Sequence, residues 1–430
     1  MLKELPETLD ETYERILRDI NKANWDHAHR LLQCLTVAVR PLRVAELAEV
    51  LAVDFEATSW GGTSILNTDW RWEDQQEAVL STCSSLISVV DKKGSQIVQF
   101  SHFSVKEFLT SSRIASSSAD VTRFRILPEP AHTILAKACL GVLLRLGELV
   151  DEDYVEDKFP LARYAAEHWV DHARFGDVSS HIREGMEHLF DPDKPYITAW
   201  LQVHDIDALP RNGSVLFYFT SLPRERSNAT PLYYAALCGF HDLAEQLIIK
   251  HPQHVNAIRG YYVSPLGAAL KGGHLKIAQL LYEHGADVDV RGRGHRTLLR
   301  GASSSGPLEI VQWLLSRNAN LAVRDKDDRW WTSLHAAACY GNVEISRLLL
   351  QYKADVHAHD KLGRTPLHVV AEYEEFNITP NSRYLDIARL LVEHGANIDA
   401  IDHKGMTAFQ IASKKGYKDI AQYLSDHGSK

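Results

Sequence analysis

The sequence predicts a mostly α protein: a solenoid of stacked helix pairs in the C-terminal half, preceded by a small α-rich module with one hairpin and by a helical connector. Three observations predict it. A threonine- or serine-led segment recurs at nearly constant spacing between Thr230 and Thr407, and self-similarity at about 20–50 residues marks stacked repeats. Apolar residues recur at helical spacing through most of the chain. The composition, 45% hydrophobic and 24% charged over 430 residues, is that of a folded globular chain with material for more than one core.

The repeats are anchored at Thr230, Ser264, Thr297, Thr332, Thr365 and Thr407, at intervals of 33–35 residues except the last, which is 42. The anchor hydroxyl suits a helix N-cap, and Pro231, Pro265 and Pro366 suit the first helical position. Five residues after each anchor stands a small side chain, Ala235, Ala269, Ala302, Ala337 or Ala412, with Val370 the exception. The second helix of each pair carries an apolar stripe such as Ile277, Leu280 and Leu281. Gly285 and Gly395 fit a left-handed helix end, Asn318 is a tolerated substitute, and Lys353 predicts strain there. Two repeats are irregular: extra residues precede Thr332 in RDKDDRWW, and an insert around EEFNITPNSRY lies inside the fifth unit.

In the front half, Thr8 to Glu11 reads as a capping box ahead of Leu9, Tyr13, Ile16 and Ile20 on one helical face. Residues 26–39 and 44–53 read as further helices, residues 58–74 as an irregular loop with three tryptophans, and 77–83 as the start of a short helix. The period then changes: residues 86–90 and 96–100 flank Asp91-Lys92-Lys93-Gly94 as a hairpin. Ser104 to Glu107 reads as the cap of a closing helix. Three helices, a hairpin and a closing helix predict a winged helix.

With these residues in place, the T-P-L-H-x-A-like segments, almost intact at Thr365, resemble ankyrin repeats. LPETLDETYERIL (5–17), RPLRVAELAEVLAV (40–53) and FSHFSVKEFL (100–109) resemble the module that follows the nucleotide-binding domain in fungal NACHT-type, NLR-like proteins. FPLARYAAEHWVDHAR (159–174) and ITAWLQVHDID (197–207) resemble the helical connector that such proteins place before their ankyrin array. The fold expected is therefore a mostly α ankyrin-repeat solenoid preceded by a winged-helix module and a helical connector. The expected divisions are a helical remnant after a missing NTPase domain (1–24), the winged helix (25–125), the connector (126–228) and six ankyrin repeats (229–430). No G-x-x-x-x-G-K-[ST] string occurs to cradle phosphates, so nucleotide binding is not carried over.

The remaining chemistry is sparse. His168 and His172 lie four apart on a helix, a spacing that can hold a metal, but no third ligand is apparent. Cys34, Cys83, Cys139, Cys238 and Cys339 form no C-x-x-C pair, and buried thiols are the expectation. No nucleophile, base and oxyanion donor cluster together, so an enzyme is not expected, nor a cofactor or a bound metal. Residues 25–112 hold seven Lys+Arg against eleven Asp+Glu, the wrong balance for phosphate contact, so no direct nucleic-acid binding is expected. The absence of a signal-like leader and of a long apolar run predicts no membrane insertion and a cytoplasmic or nuclear location.

Charge is uneven. Residues 230–430 carry 23 Lys+Arg against 21 Asp+Glu, whereas residues 1–229 carry 24 against 35. The fingers between repeats concentrate aromatic and basic residues, the types that dominate binding hot spots. Tyr261, Tyr262, Arg291, Arg293, Arg296, Arg329, Trp330 and Trp331 are the expected partner-binding residues. The resemblance implies a non-enzymatic scaffold or adaptor that holds a protein partner on the ankyrin concave face. The alternative is an ankyrin coregulator of transcription, of the kind that would serve a specialised-metabolite pathway.

Overall fold

A computed structural model of the chain describes residues 9–57, 60, 65–83, 85–92, 94–147, 158–207, 229–291, 297–324, 330–372 and 382–428. It divides into two compact units, Met1–Pro223 and Arg224–Lys430.

The first unit opens with α1 (Leu9–Asp19), α2 (Trp25–Val37), α3 (Val44–Val50) and α4 (Gln75–Cys83). Strands β1 (Ile87–Lys92) and β2 (Ser95–Phe100) pair antiparallel, with Lys92 opposite Ser95 at the turn. An isolated bridge adds to this two-stranded sheet: the Val98 N–H donates to Leu42 O at 2.9 Å, and Arg43 bridges Ile97. One bridged residue leaves no alternating pattern, so periodicity could not have shown it. The closing helix α5 (Phe103–Thr110) starts earlier than expected, and its N-cap is His102 rather than Ser104. The Ser104 hydroxyl is taken by Tyr13 Oη and His102 Nδ1, both at 2.6 Å, which ties α1 to α5. The Thr8 part of the expected capping box lies outside the described residues.

After the short α6 (Ala119–Thr122), the connector consists of α7 (Pro128–Leu146), α8 (Ala162–Ala173), α9 (Val178–His181), α10 (Arg183–Leu189) and α11 (Tyr196–Val203). Trp169, Phe190 and Trp200 form its aromatic core, with Trp169 and Trp200 edge to face at 5.3 Å and Trp200 Nε1–H donating to Ala166 O. Winged helix and connector share one unit because buried polar groups of each satisfy the other. Glu49 accepts the Leu161 N–H at 2.7 Å, and Tyr164 Oη accepts the Val39 N–H at 3.1 Å. Beside them the buried Glu46 is held below the usual carboxylate range: burial pushes it up, but the Arg40 fork, at 2.8 Å on each oxygen, and the Arg43 N–H outweigh burial.

The second unit is a stack of helix pairs: α12 (Pro231–Cys238) with α13 (His241–Lys250), α14 (Pro265–Lys271) with α15 (Leu275–Glu283), α16 (Leu298–Ser305) with α17 (Leu308–Ser316), α18 (Ser333–Cys339) with α19 (Val343–Gln351), α20 (Pro366–Glu372) with α21 (Ser382–Glu393), and α22 (Ala408–Lys415) with α23 (Lys418–His427). First helices pack on first helices (α12 on α14, α16 on α18, α18 on α20, α20 on α22) and second on second (α13 on α15, α17 on α19, α19 on α21, α21 on α23), giving two layers. Thr230, Ser264, Thr297, Thr332 and Thr407 each accept the N–H three residues on, as N-caps do. The small residues Ala235, Ala269, Ala337 and Ala412 are fully buried between layers. Gly285 has φ +85°, Asn318 φ +60° and Lys353 φ +64°, so all three end their helices left-handed, lysine included. Most of the insert in the fifth repeat, residues 373–381, lies outside the described residues.

Candidate interaction surface of the ankyrin unit

The fingers that join successive pairs are short hairpins. Arg291 bridges Thr297 and Ile401 bridges Thr407, while the Asp360 N–H donates to Arg364 O and the Asp402 N–H to Met406 O. The described parts of the fingers and the free side of the first helices form the first-helix face.

Histidine sets the spacing of this face. His335 Nε2–H donates to Arg364 O at 3.1 Å, so Nδ1 is left to accept from the Thr332 N–H at 3.3 Å and the Thr332 hydroxyl at 2.8 Å. His368 repeats the pattern with Met406 O and Thr365. Each imidazole is thus a neutral bracket between one repeat and the next. Burial lowers the His335 pKa to about 4, against a smaller raising effect of the Arg364 carbonyl.

The finger before Thr332 corrects one expectation. Trp331 is only 1% exposed and packs with Ala336, Cys339 and Val369. Its Nε1–H points to Asp360 Oδ2 at 3.4 Å, and Asp360 in turn holds Arg364 at 2.7 Å. Trp331 is therefore a packing residue of the stack, not an exposed anchor. Its register showed as much: it stands directly before the anchor threonine, where Arg364 also turns inward at 6% exposure. Trp330, one residue earlier, alternates outward at 47% exposure with φ +57°.

Tyr261 is 38% exposed and meets the half-buried Tyr262 edge to face at 5.0 Å. The Tyr262 N–H donates to Tyr233 Oη at 3.1 Å, which anchors this finger to α12. The next residue, Val263, has φ +77°, a strained setting for a β-branched side chain. Positive φ at a non-glycine residue occurs in the two aromatic fingers, at Val263 and Trp330, as well as at the helix ends Asn318 and Lys353. Arg291 is exposed. Arg293, Arg296 and Arg329 lie outside the described residues.

Charge is sorted across the two layers. Among the described residues of the first-helix face, Arg259, Lys271, Arg291, Arg324, Lys404 and Lys415 are exposed. Of the acids beside the fingers, Asp360 and Asp402 are buried in their turns and Glu372 pairs with Arg364, whereas Asp287, Asp355 and Asp399 are exposed, and Asp325, Asp327 and Asp328 lie outside the described residues. The second helices instead expose Asp242, Glu245, Glu283, Glu309, Glu344 and Asp419, interspersed with basic residues. Arg259 and Lys271 are lone basic residues in sequence, so only the stacking order reveals that they share a face.

The other candidates resolve as structure. Tyr164 Oη already accepts the Val39 N–H, so its proton goes to His172 Nε2 at 2.8 Å; His172 Nδ1–H then donates to His132 Nδ1 at 2.8 Å. Burial lowers the His172 pKa to about 3, and the His132 and His168 rings add to this. Both ring nitrogens are occupied, so the His168–His172 spacing forms no metal site, and no group of three metal-capable side chains occurs among the described residues. The five cysteines are buried free thiols. Helix α4, the helix that would enter a DNA groove, has the sequence QQEAVLSTC, with one carboxylate and no Lys or Arg.

The fold and this face define a class, and comparison with known proteins agrees. Ankyrin-repeat family models match residues 212–292, 232–325 and 298–380, and a further ankyrin model matches 380–424. The GPI inositol-deacylase winged helix domain model matches residues 19–120. The chain is an ankyrin-repeat protein with an N-terminal winged helix domain of that NACHT-associated type. Among its relatives, azaphilone pigments biosynthesis cluster protein L of Monascus ruber is 33% identical over 283 residues, 62% of this chain and 57% of that protein. SH3 and multiple ankyrin repeat domains protein 2 of Homo sapiens is 32% identical over 102 residues, 24% of this chain and 5% of its own length. Protein phosphatase 1 regulatory subunit 27 of Homo sapiens is 40% identical over 73 residues, 17% of this chain and 42% of its own length. The chain thus spans little more than half of the first relative and less of the others. The fungal relative and the winged helix match fit an NLR-like reading, and ankyrin repeats support a protein–protein interaction role. No helix among the described residues is long and apolar enough to cross a membrane.

Proposed function

We propose that the chain is a non-enzymatic scaffold or adaptor of the NLR-like class that holds an acidic protein partner on the first-helix face of its ankyrin unit. The observation that carries this reading is that the face leaves Arg259, Arg291 and Arg324 exposed beside Trp330 and Tyr261, while three of its acids, Asp360, Asp402 and Glu372, are engaged internally. Such a face attracts carboxylates and buries an apolar side chain between them. Arg291, Tyr261 and Trp330 are the expected contacts, with Tyr262 as a brace. Capture from cell extract with the full-length chain, compared with Arg324→Glu plus Trp330→Ala, tests it. Loss of the partner from the folded variant is expected, and undiminished capture would overturn the reading.

A second reading is coregulation of transcription in a specialised-metabolite pathway, favoured by the likeness to a pigment biosynthesis cluster protein of Monascus ruber. Because α4 lacks basic residues, such an effect would run through a protein partner rather than through DNA. Transcript levels of neighbouring biosynthetic genes after deletion of this gene test it; unchanged levels count against it.

A further inference from the structure

The first unit displays a surface segment that its own function in the fold does not explain. Residues 69–77 read DWRWEDQQE. Arg71 turns inward, pairs with the buried Glu49 and lies 5.1 Å over the Phe159 ring. That anchor leaves Trp70 and Trp72 facing out on either side, 50% and 46% exposed. The segment is braced at both ends: Asn67 Oδ1 accepts the Asp69 N–H at 3.0 Å, and Asp74 Oδ1 accepts the Glu77 N–H at 2.9 Å. Asp69, Glu73, Asp74 and Glu77 are all exposed. No ion pair of theirs occurs among the described residues. Two indoles therefore stand among four uncompensated carboxylates on a preorganised turn.

This is the chemistry that the ankyrin face calls for. We propose that this segment is a docking knob for the first-helix face of a second copy of the chain, so that copies associate head to tail. The proposal rests on the reading of that face as the partner-binding surface, and it adds the occupant. Charge complementarity carries it: carboxylates flank tryptophans on the knob, while Arg259, Arg291 and Arg324 accompany Tyr261 and Trp330 on the face. Exposed acids and bases on separate surfaces steer encounter, and buried aromatic rings supply the contact that outlasts salt. Preorganisation by Asn67, Arg71 and Asp74 removes part of the ordering cost of docking. The two surfaces differ, so the contact is heterologous and leaves one knob and one face free at the ends of every open assembly.

Sedimentation of the full-length chain tests this with two one-sided variants. Trp70→Ser with Trp72→Ser removes the knob; Arg259→Glu with Arg324→Glu removes the face. The wild type is expected to self-associate at low salt and less so at high salt. Each variant should lose at least about tenfold in self-affinity, as loss of two anchors does. An equimolar mixture of the two should form a 1:1 dimer and nothing larger, since only one knob and one face remain functional. A third variant, Asp69→Lys with Glu73→Lys, keeps the indoles and the braces and reverses the charge; it should associate with the Arg259→Glu, Arg324→Glu chain and not with the wild-type face. A wild type that stays monomeric at about 100 μM in low salt, where even a weak contact of this size is populated, overturns the proposal. So does a mixture of folded one-sided variants that stays monomeric. A monomeric wild type that still loses its captured partner on Arg324→Glu plus Trp330→Ala would sink the knob and leave the partner-binding face standing.

Discussion

At the scale of single residues, the second unit depends on backbone positions that only certain side chains suit. Gly285 has open space around its missing Cβ, so a substitution there costs conformational strain and no clash. Gly285→Val should lower the stability of the ankyrin unit by about 1–3 kcal/mol, and Lys353→Gly should raise it by about 0.5–1 kcal/mol. Denaturant melts of the full-length variants check both, followed on the transition of the ankyrin unit. The histidine brackets add a pH term. His335 titrates near 4 when folded and near the ordinary 6.5 when unfolded, so the unfolded chain takes up the proton first. The bracket's contribution should be complete above about pH 6.5 and lost as pH falls toward 4, at no more than about 1.4 kcal/mol per pH unit. Replacing His335 with Gln should flatten that slope; an unchanged slope would show that the acid sensitivity lies elsewhere. These residue roles were legible in the sequence wherever the repeat register aligned them, as Lys353 aligned with Gly285 and Asn318.

At the scale of elements, the finger before Thr332 separates packing from display by alternation. Trp331 fills the gap between two repeats, so Trp331→Ala should cost about 3–5 kcal/mol of ankyrin-unit stability. Trp330→Ala should stay within about 0.5 kcal/mol, because its ring is half in solvent. Equal losses in the two melts would contradict the alternation. Helix pairs and hairpin were readable from apolar period and turn residues, because both signals are local. The bridge of Arg43 to Ile97 was not, since it is one residue paired with a strand far along the chain. The burial of Trp331 was not read from composition either: a tryptophan beside arginines looks like an anchor until its register against Arg364 is compared.

At the scale of the whole chain, the sequence showed a net charge difference between its halves but not where the charges go. Part of the excess of exposed bases arises because Asp360, Asp402 and Glu372 are consumed by turn and ion-pair geometry, whereas no ion pair of Arg259 or Lys415 occurs among the described residues. The junction of winged helix and connector was equally hidden, because Glu49 reaches the Leu161 N–H across more than a hundred residues. Partner binding at the sorted face should weaken with salt yet persist, since its carboxylate contacts are screened and its aromatic contacts are not. A titration of the captured partner at rising ionic strength measures this; salt-independent affinity would point to another surface. The most direct measurement of the central claim is amide hydrogen exchange of the full-length chain with and without its captured partner. Added protection should fall on the fingers and first helices, at residues 258–271 and 330–340 above all, with the second helices unchanged. Protection confined to the second helices, or to the winged helix alone, would contradict the assignment of the first-helix face as the binding surface.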